Sequence, residues 1–69
     1  MPIYLSDLHV NFTIRRITGS DKIRAHLANL GFIVGESVMV INRVNDSVIV
    51  KIKGVSLAIS NELAKRILV

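Results

Sequence analysis

The sequence predicts a mainly β protein: a small, partly open barrel of about five strands, with one α-helix at about residues 20–30 and a short helical turn near the C-terminus. Short segments rich in Val and Ile follow one another with tight connections, which indicates antiparallel pairing. The segment between Ser20 and Gly31 places apolar residues four and three apart, as on one face of a helix. The chain has 69 residues, so residues 1–69 are predicted to form a single domain.

The chain is predicted to begin with a short lead-in over residues 4–8 and a turn at residues 10–11, since Asn tolerates a left-handed backbone. Residues 12–17 are predicted to form the first strand, because Phe12 and Ile14 alternate with polar residues. Ile17 breaks this alternation, which indicates a bulge or the end of the strand.

Residues 21–30 are predicted to form the helix. Ser20 precedes it and can accept a hydrogen bond from a free N–H of the first turn. Gly31 follows it directly and can take a positive φ without a steric penalty, so it is predicted to end the helix. The apolar residues spaced four and three apart, which are predicted to share a buried face, are Ile23, Leu27 and Leu30.

Residues 37–44 and 48–53 are predicted to form a hairpin whose turn is residues 45–47. A three-residue turn pairs Val44 with Val48. The residues that this register places on the core face are Val38, Val40, Val44, Val48, Val50 and Ile52. A two-residue turn would change which faces of the two strands meet, and the sequence leaves this alternative open.

The remaining elements follow closely. Gly54 is predicted to make a tight turn, and residues 55–59 a strand that directs Leu57 and Ile59 inward. Ser60 is predicted to cap a single helical turn at residues 61–64. Residues 65–69 then return as the final strand.

The opposite face of the hairpin carries more apolar side chains than one small core can hold. This face is predicted to comprise Met39, Ile41, Arg43, Ile49, Lys51 and Lys53. One interpretation is that the helix or the lead-in covers the surplus. The other is that part of it stays exposed as a site for a protein partner, because an apolar centre with a basic rim suits a partner that has an acidic rim.

The charge pattern favours an ordinary solvated surface. The formal net charge of +4 admits nucleic acid or an anionic surface as an alternative partner. However, the basic residues are scattered, and no aromatic residues lie among them to stack on bases, so no nucleic-acid partner is expected. No apolar run approaches the ~20 residues that span a bilayer, and the N-terminus lacks the pattern of a secretory signal, so a cytoplasmic location is expected.

The sequence shows little that is typical of catalysis or of metal binding. It has no Cys, no Gly-x-Ser-x-Gly motif, no pair of neighbouring carboxylates and no phosphate-binding loop, so no enzyme activity and no cofactor are expected. Its two histidines, His9 and His26, lie far apart in the sequence. Asp7 and His9 form the one candidate pair for a weakly held divalent metal such as Fe²⁺, the basis of a transition-metal-binding alternative.

An ordered series of motifs resembles the FeoA family. An Asp-Leu lead-in at Asp7 precedes a strand and a capped helix that ends Leu-x-x-Leu-Gly-Phe at residues 27–32. The motifs that follow are x-x-Gly-x-x-Val-x-Val, Val-x-Val-x-Ile-x-Gly-x-x-Leu-Ala-Ile at residues 48–59, and Glu-Leu-Ala-x-x-Ile-x-Val at residues 62–69. The resemblance implies an SH3-like barrel and a bacterial cytoplasmic accessory of ferrous iron uptake. It also implies a partner, the membrane transporter FeoB, which carries an intracellular GTP-hydrolysing domain; the oligomeric state stays open.

Overall fold

The computed structural model describes all 69 residues, which form six strands in two sheets, two α-helices and one 3-10 helix. The mainly β architecture is therefore confirmed, with one strand more than predicted. In chain order the elements are the 3-10 helix Ile3–Leu5, β1 Asn11–Thr13, β2 Arg16–Ile17, α1 Asp21–Asn29, β3 Ser37–Val44, β4 Ser47–Ile52, β5 Val55–Ser60, α2 Asn61–Ala64 and β6 Ile67–Leu68.

The two sheets enclose one core. The larger sheet has the strand order β1-β3-β4-β5, and the smaller one pairs β2 with β6; all of these pairs are antiparallel. The sheets do not close into a continuous barrel. The twelve buried hydrophobic residues between them are Ile3, Ile14, Leu27, Phe32, Val38, Val40, Val48, Val50, Ile52, Ile59, Ala64 and Ile67.

The predicted first strand is two strands that belong to different sheets. β1 pairs with β3, and β2 pairs with β6. Between them Ile14 is fully buried, its N–H donates to the Glu36 carbonyl at 2.9 Å, and its carbonyl accepts from the Gly35 N–H at 2.8 Å. The chain therefore changes sheet at a buried, hydrogen-bonded residue, which explains why the alternation breaks before Ile17.

Both ends of α1 form as the sequence predicts. The Ser20 side chain accepts a hydrogen bond from the Ile23 N–H at 3.3 Å. At the other end the Phe32 N–H donates to the Leu27 carbonyl and the Gly31 N–H to the Ala28 carbonyl, both at 3.0 Å. These two bonds and the positive φ of Gly31, +104°, make a Schellman motif. The apolar positions of this motif are Leu27 and Phe32, which are both buried in the core.

The predicted burial of the helix face is correct at Leu27 and wrong at Leu30. Leu27 is fully buried, and Ile23 is half-buried against the core. Leu30 is 37% exposed, because α1 ends at Asn29 and the chain turns away at Leu30.

The register of the β3–β4 hairpin differs from the prediction. Its turn has two residues, Asn45 and Asp46, so Val44 pairs with Ser47 and not with Val48. A bulge lies between Val40 and Asn42. The two-residue turn alone would bring the wrong faces together, and the extra residue of the bulge restores the pairing of Val40 with Val50, both fully buried. The prediction that Val44 lies on the core face is therefore wrong: Val44 is 45% exposed and lies outside the core.

The C-terminal elements follow the prediction. Lys53 and Gly54 form a two-residue turn with φ +52° and +77°, which are the two positive values of a type I′ hairpin. The Ser60 side chain accepts from the Leu63 N–H at 3.3 Å and caps α2. The last strand is shorter than expected, since only Ile67 and Leu68 pair with β2.

Candidate functional site

The candidate site is the outer face, defined here as the solvent side of the four-stranded sheet. Strand pairing places Met39 opposite Lys51 and Ile49 opposite Ala58 on this side. Directly opposed residues on antiparallel strands project from the same face, so these side chains are neighbours. The other side of β3 and β4 faces the core. The buried residues on that side are Val38, Val40, Val48, Val50 and Ile52.

The apolar residues predicted for this face are not part of the core. Met39, Ile41 and Ile49 are half-buried. None of the three belongs to the buried cluster or to the half-buried hydrophobic residues that pack against it. Neither β3 nor β4 packs extensively against α1, so that helix does not account for their partial burial. The sheet therefore carries an apolar surface on its solvent side as well as on its core side.

Two lysines border this surface. Lys51 is exposed and projects from the outer face between Met39 on β3 and Ser56 on β5, and it has no ion-pair partner within the chain. Lys53 lies in the turn after β4, with its Nζ 3.7 Å from the Glu36 carboxylate. Of the two, Lys51 has the more freely available charge.

Arg43 lies on the other side of the sheet from the position predicted for it. The bulge after Val40 places Arg43 opposite the buried Val48, on the core side at the edge of the barrel. Its Nε donates to the Tyr4 carbonyl at 3.0 Å, and its terminal nitrogen donates to the Ser6 carbonyl. Arg43 therefore holds the lead-in against the sheet and is not part of the outer face.

The outer face includes two further residues that are not predicted for it from the sequence. Val44 leaves the core because of the bulge, and its 45% exposure extends the apolar surface toward the hairpin turn. Ala58 lies beside Ile49 on the edge strand and is exposed. The alternation in residues 55–60 already directs Ala58 outward, whereas no local signal in the sequence reveals the bulge that displaces Val44.

The structure does not assemble a metal site around the candidate pair. Asp7 and His9 are both exposed, and nowhere in the chain do three or more His, Asp or Glu side chains converge in a way that could hold a metal ion. His9 has φ +62°, and its N–H donates to the Val40 carbonyl at 2.8 Å, which makes it a turn residue beside β3. Two exposed donors are a poor fit for a divalent transition metal.

A basic surface lies on the smaller sheet. Arg15 and Arg16 line an open depression with Met1, Leu68 and Val69. None of the ion pairs in the chain includes Arg15, Arg16 or Arg66. All three aromatic residues of the chain lie in the core or pack against it, so this surface offers no ring on which a base could stack.

Comparison with known protein families gives a match over the whole chain. The model of the FeoA domain matches residues 1–69. The chain belongs to the FeoA domain family. This family is associated with ferrous iron transport. A comparison with curated proteins finds no match.

Solved structures show the same fold. A crystal structure of an iron uptake regulatory protein, FeoA, has 24% sequence identity and a TM-score of 0.88, and the alignment covers 97% of this chain and 91% of that one. Stenotrophomonas maltophilia FeoA, described as a prokaryotic SH3 domain protein complexed with zinc, has 23% identity and a TM-score of 0.83 over 99% and 87% of the two chains. The FeoA chain is therefore an SH3-like domain.

A similar fold also occurs within longer proteins. A manganese-dependent transcriptional repressor has 16% identity and a TM-score of 0.87, with 97% of this chain matching 39% of the repressor. Neither helix of the FeoA chain is long and apolar enough to cross a membrane.

Proposed function

We propose that this FeoA chain is a small cytoplasmic accessory protein of ferrous iron uptake that binds an FeoB-type membrane transporter through its outer face. It supports or regulates the transporter as a binding module and catalyses no reaction. The observation that carries this proposal is that Met39, Ile41 and Ile49 are apolar and lie outside the core, with Met39 and Ile49 on the solvent side of the sheet. The family membership supports the choice of ferrous iron uptake as the process.

The proposed interface has an apolar centre and a basic border. Covering the centre with a partner removes apolar area from water, which contributes roughly 25 cal/mol for each Å² buried. Lys51 has no carboxylate partner in the chain, so an acidic group on the transporter can pair with it. Such a border charge mainly affects the orientation and rate of association, and the apolar centre supplies more of the affinity.

Replacing Ile49 with Asp is expected to weaken binding to the transporter by about tenfold or more, because it places a carboxylate in the apolar centre of the interface. The measurement is a titration of the purified chain against the detergent-solubilised transporter. The same substitution at Ile33 is the matched control, since Ile33 is 47% exposed and lies in the loop before β3.

Both variants must first be shown to melt with the same cooperativity as the unmodified chain. The proposal predicts that Ile33→Asp binds within about twofold of the unmodified chain and that Ile49→Asp does not. Equal binding by the two variants would place the transporter contact on another surface.

A further inference from the structure

The β5 strand forms an exposed and unprotected edge of the larger sheet. It pairs only with β4, and it has six residues, Val-Ser-Leu-Ala-Ile-Ser, none of them charged and none a proline. Natural sheets usually protect such an edge with a charge, a proline, a bulge or a very short strand. The other edge of this sheet, β1, has three residues. β5 is therefore the edge that is open to strand addition.

The direction of the free hydrogen-bonding groups follows from the register. The Asn61 N–H donates to the Asp46 carbonyl at 2.8 Å, which continues the β4–β5 ladder by one pair. Since hydrogen-bonded pairs alternate in antiparallel strands, Val55, Leu57 and Ile59 bond to β4, and the N–H and C=O groups of Ser56 and Ala58 point away from it. No backbone hydrogen bond from another part of the chain reaches Ser56 or Ala58.

We propose that the transporter contributes an extended segment that adds to the larger sheet as a strand alongside β5. This inference rests on the proposed function and specifies how the partner binds the outer face. Backbone hydrogen bonds to Ser56 and Ala58 supply affinity, and the side chains of the added strand supply specificity.

The outer face defines the chemistry of this segment. A side chain of the added strand beside Ala58 continues the apolar row of Ile49. The next side chain on the same face, two residues along, lies beside Ser56, in line with Lys51. Lys51 is roughly 10 Å, or two strand spacings, from the added strand, and the small Ser56 leaves its ammonium group room to reach a carboxylate there. The segment therefore carries an apolar residue and an acidic residue two positions apart.

Ala58→Pro tests the added strand without removing the outer face. Proline deletes only the N–H that points away from β4, and it is tolerated on the open side of an edge strand. Ala58→Val is the matched control, because valine is close to proline in size but keeps the backbone N–H. Ala58→Pro is expected to weaken binding to the detergent-solubilised transporter about tenfold more than Ala58→Val does, and this difference measures the loss of the N–H.

Amide hydrogen exchange gives a second readout. The Ser56 and Ala58 amides of the unmodified chain are expected to exchange at least about tenfold more slowly in the complex. If Ala58→Pro fails to fold, Ser56→Pro with Ser56→Val as its control provides the same comparison.

The outcomes separate this inference from the proposed function. Unchanged binding by Ala58→Pro and unchanged exchange, with binding still lost in Ile49→Asp, would overturn the added strand and leave the outer face as the site. Protection of the Ser56 and Ala58 amides in the free chain, with a dimer in sedimentation, would assign the edge to a second copy and overturn the inference. No binding of the unmodified chain to the transporter would overturn the proposed function itself.

Discussion

Replacing Phe32 with Ala is expected to lower the free energy of unfolding by about 3–5 kcal/mol. Phe32 is the largest of the fully buried side chains and is 1% exposed. Its loss leaves a cavity in the core as well as removing apolar burial. A domain of 69 residues has a total stability of roughly 3–10 kcal/mol, so this single change removes much of it.

Urea unfolding followed by circular dichroism measures this effect. Phe12→Ala is the matched control, because Phe12 is half-buried against the core and its truncation removes less burial. The account of the core predicts a clearly larger loss for Phe32→Ala. Equal losses in the two variants would contradict the central place of Phe32 in the core.

Gly31→Val is expected to lower the stability by about 1–3 kcal/mol through the backbone alone. Gly31 has φ +104°, and a Cβ added there would meet no atom within 4 Å, so a steric clash does not contribute. A β-branched residue strongly disfavours this conformation, and the Schellman hydrogen bonds from Gly31 and Phe32 depend on it.

Thermal and urea unfolding of Gly31→Val are compared with those of Ala28→Val. Ala28 is an exposed helix residue, and this substitution loses only about 0.5 kcal/mol of helix propensity. A Gly31→Val variant that is as stable as Ala28→Val would show that the helix does not require a positive φ at Gly31.

The sequence predicts best those features that depend on local chemistry. The serine cap at Ser20 and the glycine end at Gly31 each require one residue type at one position, and both form as predicted. The core face of the hairpin is also correct at Val38, Val40 and Val50, because alternation alone assigns it.

Features that depend on register are predicted less well. The composition of residues 45–47 permits both a two-residue and a three-residue turn, and the bulge after Val40 has no local signature. Because each of these changes shifts the alternation by one residue, an error at the turn reverses the faces of Val44 and Arg43. The same uncertainty explains why Arg43 is predicted for the candidate site although it binds the lead-in carbonyls.

The surplus of apolar residues on the outer face can be predicted from the sequence by counting residues. Met39, Ile41 and Ile49 exceed what one small core can enclose in either register, and the structure places all three outside the core. The free edge of β5 is different, because it becomes visible only when the pairing of every strand is known.

Ferrous iron uptake in cells is the most direct test of the claim that the outer face engages the transporter. Cells that lack their own copy of the chain receive the unmodified chain, Ile49→Asp or Ile33→Asp, with equal amounts of folded protein confirmed for each. The account predicts that Ile33→Asp restores uptake and that Ile49→Asp leaves uptake at the level of cells without the chain. Full uptake with Ile49→Asp would contradict the claim.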